Sequence, residues 1–127
     1  MERVRAKKHL GQHFLKDDSV CERICSIYSQ KKSSSALLEI GPGMGALTKH
    51  LAKLENINLF CIEYDIESVN YLKKKGVLNN NKIIQGDFLK LDLNDLFQTN
   101  KFDIIGNFPY NISSQILFKC LEYKNQV

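Results

Sequence analysis

A chain of 127 residues with 43% hydrophobic and 25% charged residues has the make-up of one water-soluble domain with a real core. No apolar run approaches the roughly 18 residues of a membrane helix, and the charged N-terminus lacks the apolar segment of a secretion signal, so a cytoplasmic, non-membrane protein is expected. The net charge of +4 sits in one place: residues 1–16 hold Arg3, Arg5, Lys7, Lys8 and Lys16 against Glu2, while the rest of the chain holds 13 basic and 13 acidic groups.

Residues 1–16 show no periodicity and are expected to form a basic arm. A basic arm on a neutral domain suits a polyanionic partner, nucleic acid first, although a solvated tail has the same composition. The large apolar Phe14 and Leu15 near its end are expected to pack on the domain, because leaving them in water is costly. Residues 17–127 then form the domain.

Asp17 and Asp18 are N-cap types for a first helix, whose apolar stripe would be Val20, Ile24, Ile27 and Tyr28, to about Gln30. Lys31 to Ser35 is a polar connector. Ala36–Ile40 is a short apolar strand. Gly41-Pro42-Gly43-Met44-Gly45 follows, then a helix to about Leu54 with Leu47, Leu51 and Leu54 on one face. Asn58–Glu63 is the second strand, apolar until its last residue. A helix over Ile66–Lys75 is expected to stop at Gly76. Lys82–Gly86 is the third strand, Leu91–Phe97 a short helix, and Phe102–Gly106 the fourth strand. Asn107-Phe108-Pro109-Tyr110 breaks the chain, and Ile112–Tyr123 is the last helix.

Short apolar strands alternating with helices predict an α/β fold with a doubly wound, mostly parallel sheet, Rossmann-like in layout. The last strand would be an unprotected edge, so the sequence is expected to be the N-terminal part of something longer. The cysteines, Cys21, Cys25, Cys61 and Cys120, form no C-x-x-C pair. Buried free thiols are expected, and no metal site.

In such sheets the ligand sits beyond the C-terminal ends of the strands. Here every strand end carries a distinctive group: the glycine loop, Glu63, Asp87, and Asn107-Phe108-Pro109-Tyr110. A glycine cluster alone is also an ordinary strand-to-helix turn. Four groups converging on one crevice are much stronger. Glu63 can accept from both hydroxyls of a ribose, as acids do in adenosine cofactor sites. Asp87 can accept from an adenine amino group, with Phe88 offering a stacking face. Both acids have structural readings too, as a surface strand end and a turn cap.

The glycine spacing is G-x-G-x-G, not the G-x-G-x-x-G of dinucleotide folds, and no lysine follows in P-loop spacing. The pattern resembles the first motif of class I S-adenosylmethionine-dependent methyltransferases. Asn107-Phe108-Pro109-Tyr110 resembles the [D/N/S]-P-P-[Y/F/W] motif of methyltransferases acting on planar amines. An adenine amine is a poor nucleophile because its lone pair is delocalised into the ring. Acceptors on its hydrogens, the Asn107 side chain and the Pro109 carbonyl, would help localise that pair, and Tyr110 would stack on the base. Catalysis is then positioning and electrostatics on a base that is unpaired or flipped out.

Taken together the residues resemble the KsgA-type ribosomal RNA adenine dimethyltransferases. Lys8 to Leu15 is similar to that family's G-Q-N-F-L segment, Leu38–Gly45 to its glycine motif, Ile62-Glu63-Tyr64-Asp65 to its I-E-x-D motif, and Gly86-Asp87 to its third. Gly106 to Ser114 is very close to its G-N-L-P-Y-N-I-S-[ST] segment. The resemblance implies dimethylation of two adjacent adenines near the 3′ end of small-subunit rRNA, with S-adenosylmethionine as cofactor, a pre-30S particle as partner and a monomeric enzyme. It implies cofactor contacts at Gln12, His13, Leu15, Gly41, Gly43, Glu63, Asp87, Phe88 and Asn107. Target-base contacts would fall at Asn107, Pro109 and Tyr110, and RNA contacts at Arg3, Arg5, Lys7 and Lys8. His13 stands where the family has Asn. The family's further strands and C-terminal helical domain have no counterpart, so little turnover is expected from these 127 residues alone.

Three other readings compete. A large-subunit methyltransferase of the macrolide-resistance type shares every motif. A noncatalytic rRNA-binding assembly factor would not need the amine acceptors of Asn107 and Pro109. A dinucleotide oxidoreductase does not fit the glycine spacing.

Overall fold

The fold is given by a computed structural model that describes residues 18–32, 34–97 and 100–106. The arm, the Asn107-Phe108-Pro109-Tyr110 stretch, the expected last helix and Cys120 lie outside these residues.

Helix α1 spans Asp18–Lys31 and strand β1 Ala36–Ile40. The glycine loop leads into α2, Thr48–Leu51, and then into β2, Asn58–Glu63. Helix α3 covers Ile66–Lys75. A 3-10 turn at Asn80–Lys82 precedes β3, Ile83–Gln85. A second 3-10 turn at Phe88–Lys90, then α4 at Leu93–Phe97, lead to β4, Asp103–Gly106. The strands form one parallel sheet in the order β3-β2-β1-β4. The chain winds outward from β1 to β3, then crosses to the other side of β1 for β4. The order therefore reverses between β1 and β4, which is where sheets of this kind open a crevice.

Alternation along β1 builds two cores. Leu38 and Ile40 face one layer with Ile62, Phe88, Leu93, Phe97 and Phe102. The Phe97 ring stacks on Phe102 at 4.2 Å and meets the edge of Phe60 at 5.6 Å. Leu37 faces the other layer, against Cys21 and Cys25 of α1, Leu47 and Leu51 near α2, and Leu59 and Cys61 of β2. Tyr28 ties α1 to β4 by donating to Asp103 Oδ2 at 2.8 Å.

Two expectations change here. The buried face of α1 is Cys21 and Cys25, flanked by Ile24 and Tyr28, whereas Val20 and Ile27 are exposed. Cys21 and Cys25, one helical turn apart, share the face that packs on Leu37, Leu59 and Cys61, and Val20 and Ile27 lie off that face. Helix α2 is shorter than its apolar spacing suggests. After Leu51 the chain continues to Leu54 in tighter turns, with Lys53 N donating to His50 O and Leu54 N to Leu51 O. Leu47 and Leu51 are buried as expected.

Helix α3 begins and ends on local chemistry. Asp65 Oδ2 accepts from Ser68 N at 3.2 Å and from its hydroxyl at 2.9 Å, and Gly76 closes the helix in the left-handed conformation. Asp65→Ala is expected to lower stability by about 1 kcal/mol in urea denaturation. Cofactor affinity measured by calorimetry should be retained, because Asp65 reaches Glu63 through its backbone N–H.

Candidate cofactor crevice

The crevice is built at the end of β1. Ile40 is the last strand residue, and Gly41, Gly43 and Gly45 follow with φ of 68°, 58° and 84°. These left-handed values explain why the loop alternates glycine with other residues. At Gly45 a second constraint acts, because a Cβ there would lie 2.8 Å from Leu72 Cδ2 of α3. The loop is sewn to β2: Gly41 N donates to Ile62 O at 2.9 Å, and Gly43 N to Glu63 Oε1 at 2.9 Å. Gly45 N turns back to Pro42 O at 2.9 Å.

Glu63 is the pivot of this arrangement. It is 2% exposed, with Oε1 on Gly43 N and Oε2 on Asp65 N at 2.9 Å. Burial raises its pKa, opposed by backbone hydrogen bonds from Asp65, Gly43 and Tyr64. A carboxylate accepts at about four positions, so Glu63 can take hydroxyl donors in addition to backbone ones. The backbone of Glu63 also fixes the next strand end, its O accepting from Gly86 N at 2.9 Å. Asp87 follows, capping the 3-10 turn through Oδ1 and Leu89 N at 3.0 Å. The sheet thus brings Gly41, Gly43, Glu63 and Asp87 to one end, as the sequence predicts.

Phe88 corrects one expectation. Its ring is 5% exposed and packs into the core with Leu38, Ile40 and Ile62. Phe88 opens the 3-10 turn that Asp87 caps, and there its ring is held in the core, so it offers no open stacking face. The exposed apolar groups beside the crevice are Tyr64 and Ile66, which follow Glu63, and Met44 in the loop. Tyr64 is 66% exposed.

A buried network behind the loop was not foreseen. Glu39, 2% exposed and next to last in β1, accepts from Thr48 Oγ1 at 2.5 Å and from Cys61 Sγ at 3.6 Å. The Thr48 bond joins the residues flanking the loop and closes it as a clasp. Burial pushes the Glu39 carboxyl up to about 7, against the two hydrogen bonds, with Glu63 adding to the rise. The signal in the sequence is an acid inside an otherwise apolar strand.

Cys21, Cys25 and Cys61 are buried thiols that form no disulfide. Burial raises the Cys25 thiol to about 11 and Cys61 well above its usual range, so both stay protonated at neutral pH. Away from the crevice, Asp18, Glu22 and His50 cluster, with Asp18 paired to Lys49 at 3.0 Å and His50 at 2.8 Å. Arg3, Arg5, Lys7, Lys8, Gln12, His13, Leu15, Asn107, Pro109 and Tyr110 lie outside the described residues; Asn107 directly follows Gly106, the last residue of β4.

A parallel sheet that reverses at β1, with a glycine loop after β1 and an acid closing β2, is the fold of class I S-adenosylmethionine-dependent methyltransferases. Solved structures similar to it are a dimethyladenosine transferase from Plasmodium falciparum and the 23S rRNA methyltransferase ErmE. The first gives a TM-score of 0.66 at 35% identity over 87% of this chain and 38% of that one. The second gives 0.68 at 29% identity over 87% and 43%. The chain belongs to the ribosomal RNA adenine dimethylase family, which matches residues 3–127. It is 52% identical over its whole length to the ribosomal RNA small subunit methyltransferase A of Flavobacterium johnsoniae, and spans about half, 48%, of that relative. Among the described residues no helix is long and apolar enough to cross a membrane.

Proposed function

We propose that this chain carries the methyl-donor site of an enzyme that dimethylates adjacent adenines near the 3′ end of small-subunit rRNA. The observation that supports it most is the pinning to Glu63 of the glycine loop that follows β1, the strand beside which strand order reverses. In this reading Glu63 accepts from the ribose hydroxyls, Asp87 from the adenine amino group, and the glycine loop passes the methionine portion. Gln12, His13, Leu15 and Asn107 complete the cofactor contacts. Bound S-adenosylmethionine supplies an electrophilic methyl group on a sulfonium. The Asn107 side chain and the Pro109 carbonyl accept hydrogen bonds from the target amine, Tyr110 stacks on the target base, and no residue forms a covalent bond. Arg3, Arg5, Lys7 and Lys8 meet RNA phosphates. The enzyme acts as a cytoplasmic monomer on the pre-30S particle.

Calorimetry with S-adenosylmethionine tests the site. Glu63→Ala is expected to weaken binding at least about tenfold, because a hydrogen bond to a charged group is worth about 1.5–3 kcal/mol and each 1.4 kcal/mol is tenfold. Equal affinity in a folded variant would remove Glu63 from the site. The similarity to ErmE favours a second reading, methylation of the large subunit. Comparing methyl transfer to unmodified small and large subunits, by an enzyme of full family length, separates the two.

A further inference from the structure

Outside the arm the charges sum to zero, but the fold sorts them. All four strands of a parallel sheet start at one end, and the connecting helices return there. Lys31 and Lys32 stand before β1, Lys53 before β2, Lys73–Lys75 and Lys82 before β3, and Lys101 before β4. All are exposed except Lys82, which is half-buried. Hydrogen bonds stitch the strand starts in sheet order. Lys82 Nζ donates to Asn58 Oδ1 at 2.8 Å, Asn58 N to Ser35 O at 2.7 Å, and Ser34 Oγ to Lys101 O at 2.8 Å. With neighbouring strands about 4.8 Å apart, this basic rim is roughly 15 Å wide. Among the described residues, the acids next to the strand starts in sequence are Glu55 and Asp103, and Asp103 Oδ2 accepts from Tyr28 and Ser34.

Among the described residues the crevice end is mainly acidic. Glu63, Asp65, Glu67 and Asp87 lie there beside the exposed Lys90, and Lys49 beyond the loop is paired with Asp18. Helix dipoles account for lysines in the last turns of α1 and α3. They do not account for Lys53, Lys82 and Lys101, which make the rim continuous. In the proposed function the arm offers Arg3, Arg5, Lys7 and Lys8 to phosphates, and the rim adds positive charge at the opposite end of the sheet from the crevice acids.

We infer that the strand-start end of the sheet, with Lys32, Lys53, Lys73, Lys82 and Lys101, is a docking surface for RNA backbone separate from the crevice. The inference rests on the rRNA-modifying reading for its choice of polyanion. A five-residue strand separates the two ends by about 17 Å, so the rim engages a different stretch of RNA from the one holding the target base. Its binding is electrostatic and indifferent to sequence.

The test uses the 127-residue chain with Lys32, Lys53, Lys73 and Lys101 changed together to Gln, and in a second variant to Glu. The probe is a synthetic RNA duplex of about 20 base pairs, titrated across a series of salt concentrations. The Gln variant is expected to bind about tenfold or more weaker at low salt, with the slope of log affinity against log salt reduced by about 2–4. Its melting curve and S-adenosylmethionine affinity should match the parent's. Unchanged RNA affinity and slope in the folded Glu variant overturn the inference. So does loss of binding to phosphatidylserine vesicles with RNA binding intact, which would make the rim a membrane contact. Rim-dependent RNA binding without Glu63-dependent cofactor binding leaves the rim standing and removes the methyltransferase reading. Cofactor binding without any RNA binding does the reverse.

Discussion

Gly106→Ala is expected to destabilise the domain by on the order of 3 kcal/mol and to abolish cofactor binding, while Gly86→Ala is nearly silent. Gly106 is the last residue of β4 and pairs with Ile40, the residue that launches the glycine loop. A Cβ on Gly106 would run into the backbone oxygen of Ile40, with Ile40 N at 3.1 Å behind it. Neither atom can rotate away, as a flexible side chain would. The two strand ends must therefore part, at the place where the order of the sheet reverses and the crevice opens. Gly86 sits at the corresponding end of β3, where a Cβ would meet nothing within 4 Å. Alanine there keeps the N–H that donates to Glu63 O. Urea denaturation and calorimetry on the pair give the result. Equal stability of the two variants would mean that the β1–β4 junction tolerates separation and that the close approach does not shape the crevice.

The parts of this molecule that were legible in its sequence are those fixed by neighbours in the chain. The limits of β1, β2 and α3 follow from an apolar run, from Asp65 as a cap and from Gly76 as a stop, all of which act over a few residues. Convergence of Gly43, Glu63 and Asp87 was legible as well, because parallel strands deliver their last residues to one end. What depended on tertiary neighbours was not. Either face of α1 could be apolar, and only the packing against the sheet shows that Cys21 and Cys25, not Val20 and Ile27, are buried. Phe88 was itself an expected cofactor contact, yet packing takes its ring inward. The segregation of lysines from acids is invisible in a sum of charges and needs the strand order. The Glu39–Thr48 clasp links residues nine apart across a loop whose path only the fold reveals.

That clasp leads to the second large effect, a fall in stability as pH rises from about 5 to 8. Glu39 ionises near 4.5 when solvated and at about 7 in the fold. Between those values the native state keeps a proton that the unfolded chain has released. Stability therefore drops with rising pH across the window and stays low above it, by roughly 3 kcal/mol in all. The groups facing this carboxyl are Thr48 from the start of α2, Cys61 and Glu63 from β2, and Cys25 from α1. Both thiols ionise above the window and add nothing within it. Glu63 is raised too and adds a contribution of the same sign, which a substitution at position 39 leaves in place. Glu39→Gln mimics the protonated acid and keeps an oxygen for Thr48 and Cys61. The variant should match the parent within about 1 kcal/mol at pH 5 and exceed it at pH 8 by up to roughly 3 kcal/mol. Urea denaturation at the two pH values measures this, and stability curves of parent and variant that run parallel would show Glu39 ionised throughout. A clasp that holds when Glu39 is neutral keeps the loop in place on both sides of the transition. The pH dependence then belongs to folding, and S-adenosylmethionine affinity in the folded protein should differ little between Glu39 and its Gln variant at either pH.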